Sequence, residues 1–144
     1  MIVYTVGTFD MLHVVHLRLL EHCQKLGSVV AVGVASDRVV HSYKPNKPVI
    51  PLEQRMQMLR ALRCVDIVIP YYDLEYVSGC RTVAADIFVV GEDWGTKAHN
   101  LAVEAYLMDQ GSGIVKVQYD LRTSSTQIKQ TVKAQPARTL AVAV

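Results

Sequence analysis

Short continuous apolar runs alternate along this chain with longer stretches in which apolar residues return every third or fourth position. The first rhythm predicts strands buried on both faces, and the second predicts amphipathic helices. IVYTV (2–6), SVVAVGVA (28–35), VDIVI (65–69, closed by Pro70), DIFVV (86–90) and IVKVQY (114–119) read as five strands. HVVHLRLLEHCQKLG reads as a helix starting near Leu12, because Leu12, Val15, Leu19, Leu20 and Cys23 fall on one face and Gly27 is a fitting stop. PLEQRMQMLRAL opens on Pro51, which suits a first helical turn. DLEYVSGCRTVA, AHNLAVEAYLMDQG and SSTQIKQTV complete the predicted helices. Residues 36–50, SDRVVHSYKPNKPVI, carry Pro45, Pro48 and several polar residues and read as a loop.

Strand and helix thus alternate with short connections. Strands without internal alternation are expected where helices cover both faces of a parallel sheet. The predicted fold class is α/β: a Rossmann-like, doubly wound parallel five-stranded sheet with helices on both faces. One domain is expected over residues 1–132. The tail KAQPARTLAVAV, 133–144, is expected either to dock on a partner subunit or to be disordered.

Composition narrows this picture. At 144 residues and 51% hydrophobic content the chain has enough apolar surface for one buried core. A net charge of +2 is too small to argue for nucleic acid or a membrane surface, yet it permits a local anion site. Cys23, Cys64 and Cys80 match no metal or redox spacing and sit in apolar segments, which suggests buried thiols in a reducing cytoplasm. No apolar run approaches the ~20 residues of a membrane span, and no signal-peptide pattern opens the chain.

In doubly wound sheets, ligands bind beyond the carboxyl ends of the strands. Four loops lie there: 7–13, 36–48, 91–97 and 120–126. His13 and His16, three apart at a predicted helix start, would add imidazole donors to a terminus that already favours anions. An isolated pair of that kind is ordinarily a semi-buried structural pair. Zinc would need a third ligand, and none is evident. Lys44 and Lys47 in KPNK are point charges able to close over a triphosphate. In LRTSSTQIK, Arg122 offers bidentate phosphate contact, and Thr123, Ser124, Ser125 and Thr126 supply more hydroxyls than an N-cap requires. In GEDWGTK, Asp93 and Glu92 suit a magnesium-bound water or a ribose or base donor, and Trp94 suits a pocket wall. No P-loop and no GxGxxG is present.

Together these segments resemble a known family. GTFDMLHVVH resembles the GTFD-x-x-H-x-G-H signature of the cytidylyltransferase-like nucleotidyltransferase superfamily. LRTSSTQIK resembles its second signature, R-T-x-G-I-S-T-T-x-I-K. VVGEDWGTK is similar to a segment of bacterial glycerol-3-phosphate cytidylyltransferase. PLEQRMQMLRALRCVDIVI looks like a unit shared by that enzyme and the adenylyltransferase domain of ADP-heptose synthesis. The resemblance spans residues 2–132.

It implies transfer of a nucleoside monophosphate from a triphosphate to a small phosphate monoester, with release of pyrophosphate. CTP is favoured by the GEDW segment, magnesium accompanies the triphosphate, and glycerol 3-phosphate or a related alcohol phosphate accepts. By resemblance, His13, His16, Lys44 and Arg122 are catalytic. Thr8, Phe9, Asp10, Lys47, Asp93, Trp94, Thr123, Ser124, Ser125 and Thr126 bind the nucleotide. A homodimer is expected at this size. Three departures stand out: Val15 replaces the signature glycine, the second signature is two residues short after Arg122, and DLEYVSGC lacks the lysine that the glycerol-phosphate enzymes use. Two alternatives therefore stand beside the cytidylyl reading: an adenylyltransferase of the ADP-heptose or FAD synthetase kind, and a nucleotide-binding protein with little turnover.

Overall fold

A computed structural model of the protein describes residues 1–118 and 125–134. Eleven elements follow in chain order: β1 (Ile2–Gly7), α1 (Val14–Leu26), β2 (Val29–Ala35), α2 (Asp37–Tyr43), α3 (Leu52–Arg60), β3 (Ile67–Tyr71), α4 (Val77–Val83), β4 (Ile87–Gly91), α5 (Ala98–Asp109), β5 (Gly113–Val117) and α6 (Ser125–Ala134). The five strands are parallel and ordered β3-β2-β1-β4-β5. The chain first winds outward from β1 through β2 to β3. It then returns to the other side of β1 and winds outward again through β4 and β5, so the winding reverses between β1 and β4.

Alternate strand residues face opposite layers, which is why both faces must be apolar. Val3, Val30, Val32, Val34 and Val89 pack with Leu19, Leu20 and Cys23 of α1 and Met56 and Leu59 of α3. Tyr4, Ala31, Phe88 and Val90 pack with Cys80 and Val83 of α4 and Val103 and Leu107 of α5. Burying a leucine such as Leu20 or Leu59 fully contributes about 1.5–3 kcal/mol. Tyr4 is accommodated because Gly33 on β2 and Gly79 on α4 lack a Cβ, which at either position would collide with its phenol oxygen.

Several boundaries differ from the sequence pattern. The segment read as a loop over 36–50 contains α2. Ser36 caps it by accepting from the Val39 N–H at 3.2 Å, and Val39 and Val40 are buried with Ala35 against Tyr71 and Leu74. The prolines that suggested a loop act only after Tyr43. α1 begins at Val14 with His13 as its N-cap, one turn position later than expected. α3 begins at Leu52, with Pro51 as its N-cap, and α4 is shorter than its apolar pattern. β3 runs through Pro70 instead of ending there, which its place at the sheet edge permits, since an edge strand leaves one side without a ladder. α6 continues to Ala134, past the expected domain boundary at residue 132. The rest of the tail, 135–144, lies outside the described residues. No helix among the described residues is long and apolar enough to cross a membrane.

Candidate functional site

The loops beyond β1, β2 and β4, together with α6, enclose a cleft of about 1150 Å³. It sits where the winding reverses, the place at which doubly wound sheets take ligands. Thr8, Phe9, Asp10, His13, His16, Lys44, Lys47, Asp93, Trp94, Ser125 and Thr126 all line it. Residues up to 118 positions apart in sequence, Thr8 and Thr126, thus meet in one place. Glu92 is exposed and outside the lining. Arg122, Thr123 and Ser124 fall outside the described residues. Among the described residues the lining carries five lysines (Lys44, Lys47, Lys97, Lys129 and Lys133) against two acids, Asp10 and Asp93, a balance that favours an anion.

The backbone entering α1 is strained. Phe9 and Met11 hold φ values of 52° and 48°, which cost about 1–3 kcal/mol each in residues other than glycine. Phe9 is held there by burial and by its ring lying 5.3 Å from the His16 ring.

His13 and His16 are not merely neighbours on a helix face. Their rings stack, with centroids 3.8 Å apart. The His13 backbone N–H donates to His16 Nδ1 at 3.3 Å. With Nδ1 accepting, a neutral His16 ring carries its proton on Nε2. Burial, reinforced by the His13 ring, lowers the His16 pKa from 6.5 to about 4. Burial lowers that of His13 as well. Two stacked imidazolium ions would repel each other, so the stack and the burial both favour the neutral rings. His13 Nδ1 is buried without a hydrogen-bond partner. An unmade bond of that kind costs about 1–3 kcal/mol, and functional sites are where such costs are tolerated.

Asp10, which lines the cleft, also has a structural part. One carboxylate oxygen accepts from the Ile50 N–H at 3.0 Å; the other accepts from the Val49 N–H at 2.8 Å and pairs with Lys129 at 3.5 Å. The Asp10 carbonyl accepts from the Ser125 hydroxyl. Asp10 therefore ties the end of the 44–50 loop and the first turns of α6 to the β1 loop. Both oxygens are occupied by protein donors, which also keeps a bare carboxylate away from an anion.

Arg55, which the sequence reading did not single out, is 1% exposed and completes this framework. Its Nε donates to Ile50 O at 2.8 Å, and Nη1 donates to Thr8 O at 2.7 Å and Ala35 O at 2.8 Å. Nη2 meets Asp37 Oδ1 at 2.6 Å. One guanidinium thus joins the carboxyl ends of β1 and β2, the 44–50 loop and the start of α2. Only an arginine fork has enough donors at fixed angles for that task.

The opposite end of the cleft is aromatic. Tyr76 contacts Tyr71, Phe88, Trp94 and His99, with centroid separations between 5.5 and 6.0 Å. Trp94 acts as a wall: its ring packs edge-on against Phe88, and its indole N–H donates to Glu104 at 2.7 Å. It has no donor left for a nucleobase. Asn100, 5% exposed, lines the cleft beside it. Lys129, Tyr76 and Asn100 were not anticipated. Lys129 lay in plain sight in the TQIK segment, whereas the other two resemble ordinary helix residues until the cleft is assembled. No group of three His, Cys, Asp or Glu among the described residues is placed to hold a metal.

A parallel sheet with a reversal point, a cationic cleft there and an imidazole pair at a helix start define a nucleotide-handling α/β domain. The chain belongs to the Cytidylyltransferase-like family, whose model matches residues 4–131. It is 34% identical over 138 residues to the Bifunctional protein HldE of Pectobacterium carotovorum, covering 95% of this chain and 28% of that protein. The chain thus spans under a third of the length of the curated relatives it matches. Among solved structures it is similar to the lipopolysaccharide core biosynthesis protein of Thermoplasma volcanium, with a TM-score of 0.67 and 23% identity over 83% of this chain and 96% of that one. It also resembles Thermotoga maritima TmcAL bound with alpha-thio ATP, with a TM-score of 0.61 and 14% identity over 92% of this chain and 50% of that one.

Proposed function

We propose that this chain is a nucleotidyltransferase acting on the magnesium complex of a nucleoside triphosphate and a small phosphate monoester. An oxygen of the monoester attacks the α-phosphorus. The bond from that phosphorus to the β-bridging oxygen breaks, and pyrophosphate leaves. No strong general base is required, because a phosphate monoester is mostly dianionic near pH 7. Catalysis then rests on alignment and on donors aimed at developing charge. The observation that carries this reading is the stacked, neutral His13–His16 pair at the start of α1, inside a lysine-lined cleft. His16 Nε2–H is a fixed donor that keeps its proton over the physiological range. Lys44 and Lys47 neutralise the phosphates from the loop that Asp10 and Arg55 hold. Ser125 and Thr126 open α6 on the same side.

ATP is the proposed donor. The preference for CTP rested on the GEDW segment, and in the folded chain the Trp94 indole N–H is committed to Glu104. The similarity to HldE favours the adenylyl alternative, and TmcAL, which has the same fold, binds an ATP analogue. The experiment is pyrophosphate release with ATP, CTP, GTP and UTP, each against glycerol 3-phosphate, sugar 1-phosphates and FMN. Turnover with ATP and one monoester class is expected. A preference for CTP restores the cytidylyl reading. Thermal stabilisation by a triphosphate without any pyrophosphate release would refute turnover and leave a nucleotide-binding protein.

A further inference from the structure

α5 is apolar on two opposite sides. Its inner side buries Val103 and Leu107 against the sheet. Its outer side presents Ala98, Leu101, Ala102, Ala105 and Met108, all exposed, with Leu101 at 50% and Met108 at 80%. The outer faces of the other long helices on the sheet are mainly polar. That of α1 carries Arg18, Glu21, Gln24 and Lys25 with Val14 at its start, and that of α3 carries Glu53, Gln54, Gln57 and Arg60 with a single exposed Met58. A helix with one face on the core and the other in water has no use for a second apolar face.

The spacing of that face is ordered. Ala98, Leu101, Ala105 and Met108 recur at steps of three, four and three, the seam of a two-helix pairing. Size and charge both select the orientation of a partner helix of the same sequence. Antiparallel pairing sets large against small: Met108 against Ala98, and Leu101 against Ala105. It also brings Lys97, at the amino end of α5, to the end where the partner's Asp109 lies, and sets the two helix dipoles in opposition. Parallel pairing would bring Lys97 to Lys97 and Asp109 to Asp109, and would leave the two leucines and the two methionines facing each other.

We infer that α5 is a self-association surface, on which a second copy of this chain docks through an antiparallel α5–α5 contact about a two-fold axis near Val103. Such an axis makes the contact isologous and closed, so it yields a dimer and not a filament. A helix of 12 residues is about 18 Å long, so the interface is small and the dimer forms reversibly.

Sedimentation equilibrium of the full chain, from micromolar to near-millimolar concentration, reads the association directly. A concentration-dependent mass rising to twice that of the chain is expected. Ala105→Glu and Leu101→Lys, each at an exposed helical position outside the cleft, are each expected to weaken association at least tenfold while circular dichroism and melting temperature stay near wild type. The double variant, Leu101→Lys with Ala105→Glu, is expected to recover most of the loss, because antiparallel pairing sets each introduced lysine against the partner's introduced glutamate. A chain that stays monomeric at every concentration overturns the inference. So does a dimer unaffected by either single substitution, which would use another face. Failure of the double variant to recover, with both singles impaired, overturns the antiparallel geometry.

Discussion

Replacing Arg55 with methionine removes a guanidinium of which the side chain is 0% exposed, while its partner Asp37 is 42% exposed. Asp37 regains water and loses little. The carbonyls of Thr8, Ala35 and Ile50 have no such recourse, since methionine fills the space and donates nothing. Each carbonyl left without a donor costs about 1–3 kcal/mol. The methionine no longer requires a buried charge to be desolvated, and its apolar volume is retained, which offsets part of that sum. The net destabilisation is therefore placed at about 3–5 kcal/mol, from three carbonyls at about 1–3 kcal/mol each less that offset. For a chain of 144 residues this corresponds to a fall in Tm of roughly 10 °C or more. Urea unfolding followed by circular dichroism gives the free energy. Isothermal titration with nucleotide gives the functional effect, which should be weaker binding because the 44–50 loop loses its anchor at Ile50. Arg55→Lys keeps the charge but cannot reach four acceptors at once, so it should fall between wild type and Arg55→Met. A destabilisation of Arg55→Met below about 1 kcal/mol would refute the reasoning, because the three carbonyls would then have found other donors.

Three further outcomes follow from the site. His16→Ala should lower kcat for pyrophosphate release by about 10²–10³-fold, the scale for losing one preorganised donor, with Tm within a few degrees of wild type; near-normal turnover would remove His16 from the mechanism. In the folded chain His16 holds its pKa near 4 rather than 6.5, so the unfolded state takes up a proton between those values. Stability is thus fully present above pH 6.5 and declines as pH falls toward 4, and His16→Ala should flatten that part of a urea-midpoint-versus-pH curve. Val15 is buried in the second position of α1 and lines the cleft. Val15→Gly should cost about 1 kcal/mol or more of stability through lost helix propensity and burial, while leaving kcat unchanged or raised; a large fall in kcat would show that the site depends on valine.

The local pattern of residues was enough for the sheet, both of its covered faces and the loops that meet at its edge. Apolar runs such as IVYTV and DIFVV leave no polar face to expose, so a parallel sheet between two helix layers is the arrangement that buries them. The same pattern placed His13, His16, Lys44, Lys47 and Ser125 at the carboxyl edge, because strand ends are legible and the ligand side of such sheets is general. It missed α2, since Pro45 and Pro48 weighed more in the reading than Ser36 and the short Val39–Val40 pair. It also extended α4 beyond its real length, because periodicity does not say which apolar residues find a partner. The working parts of the site were decided by tertiary contacts. That the Val49 and Ile50 N–H groups and Lys129 meet on the Asp10 carboxylate is not legible in the sequence. Nothing in the sequence singles out Arg55, on which three carbonyls from separate segments converge. HxxH spacing allowed a shared face, but the stack at 3.8 Å, and with it the neutral state of both rings, depends on Phe9 and on burial by the surrounding fold. Sequence spacing governs which residues share a strand or a helix turn. Which donors meet which acceptors, and how far from water, is settled only when distant segments are brought to one place.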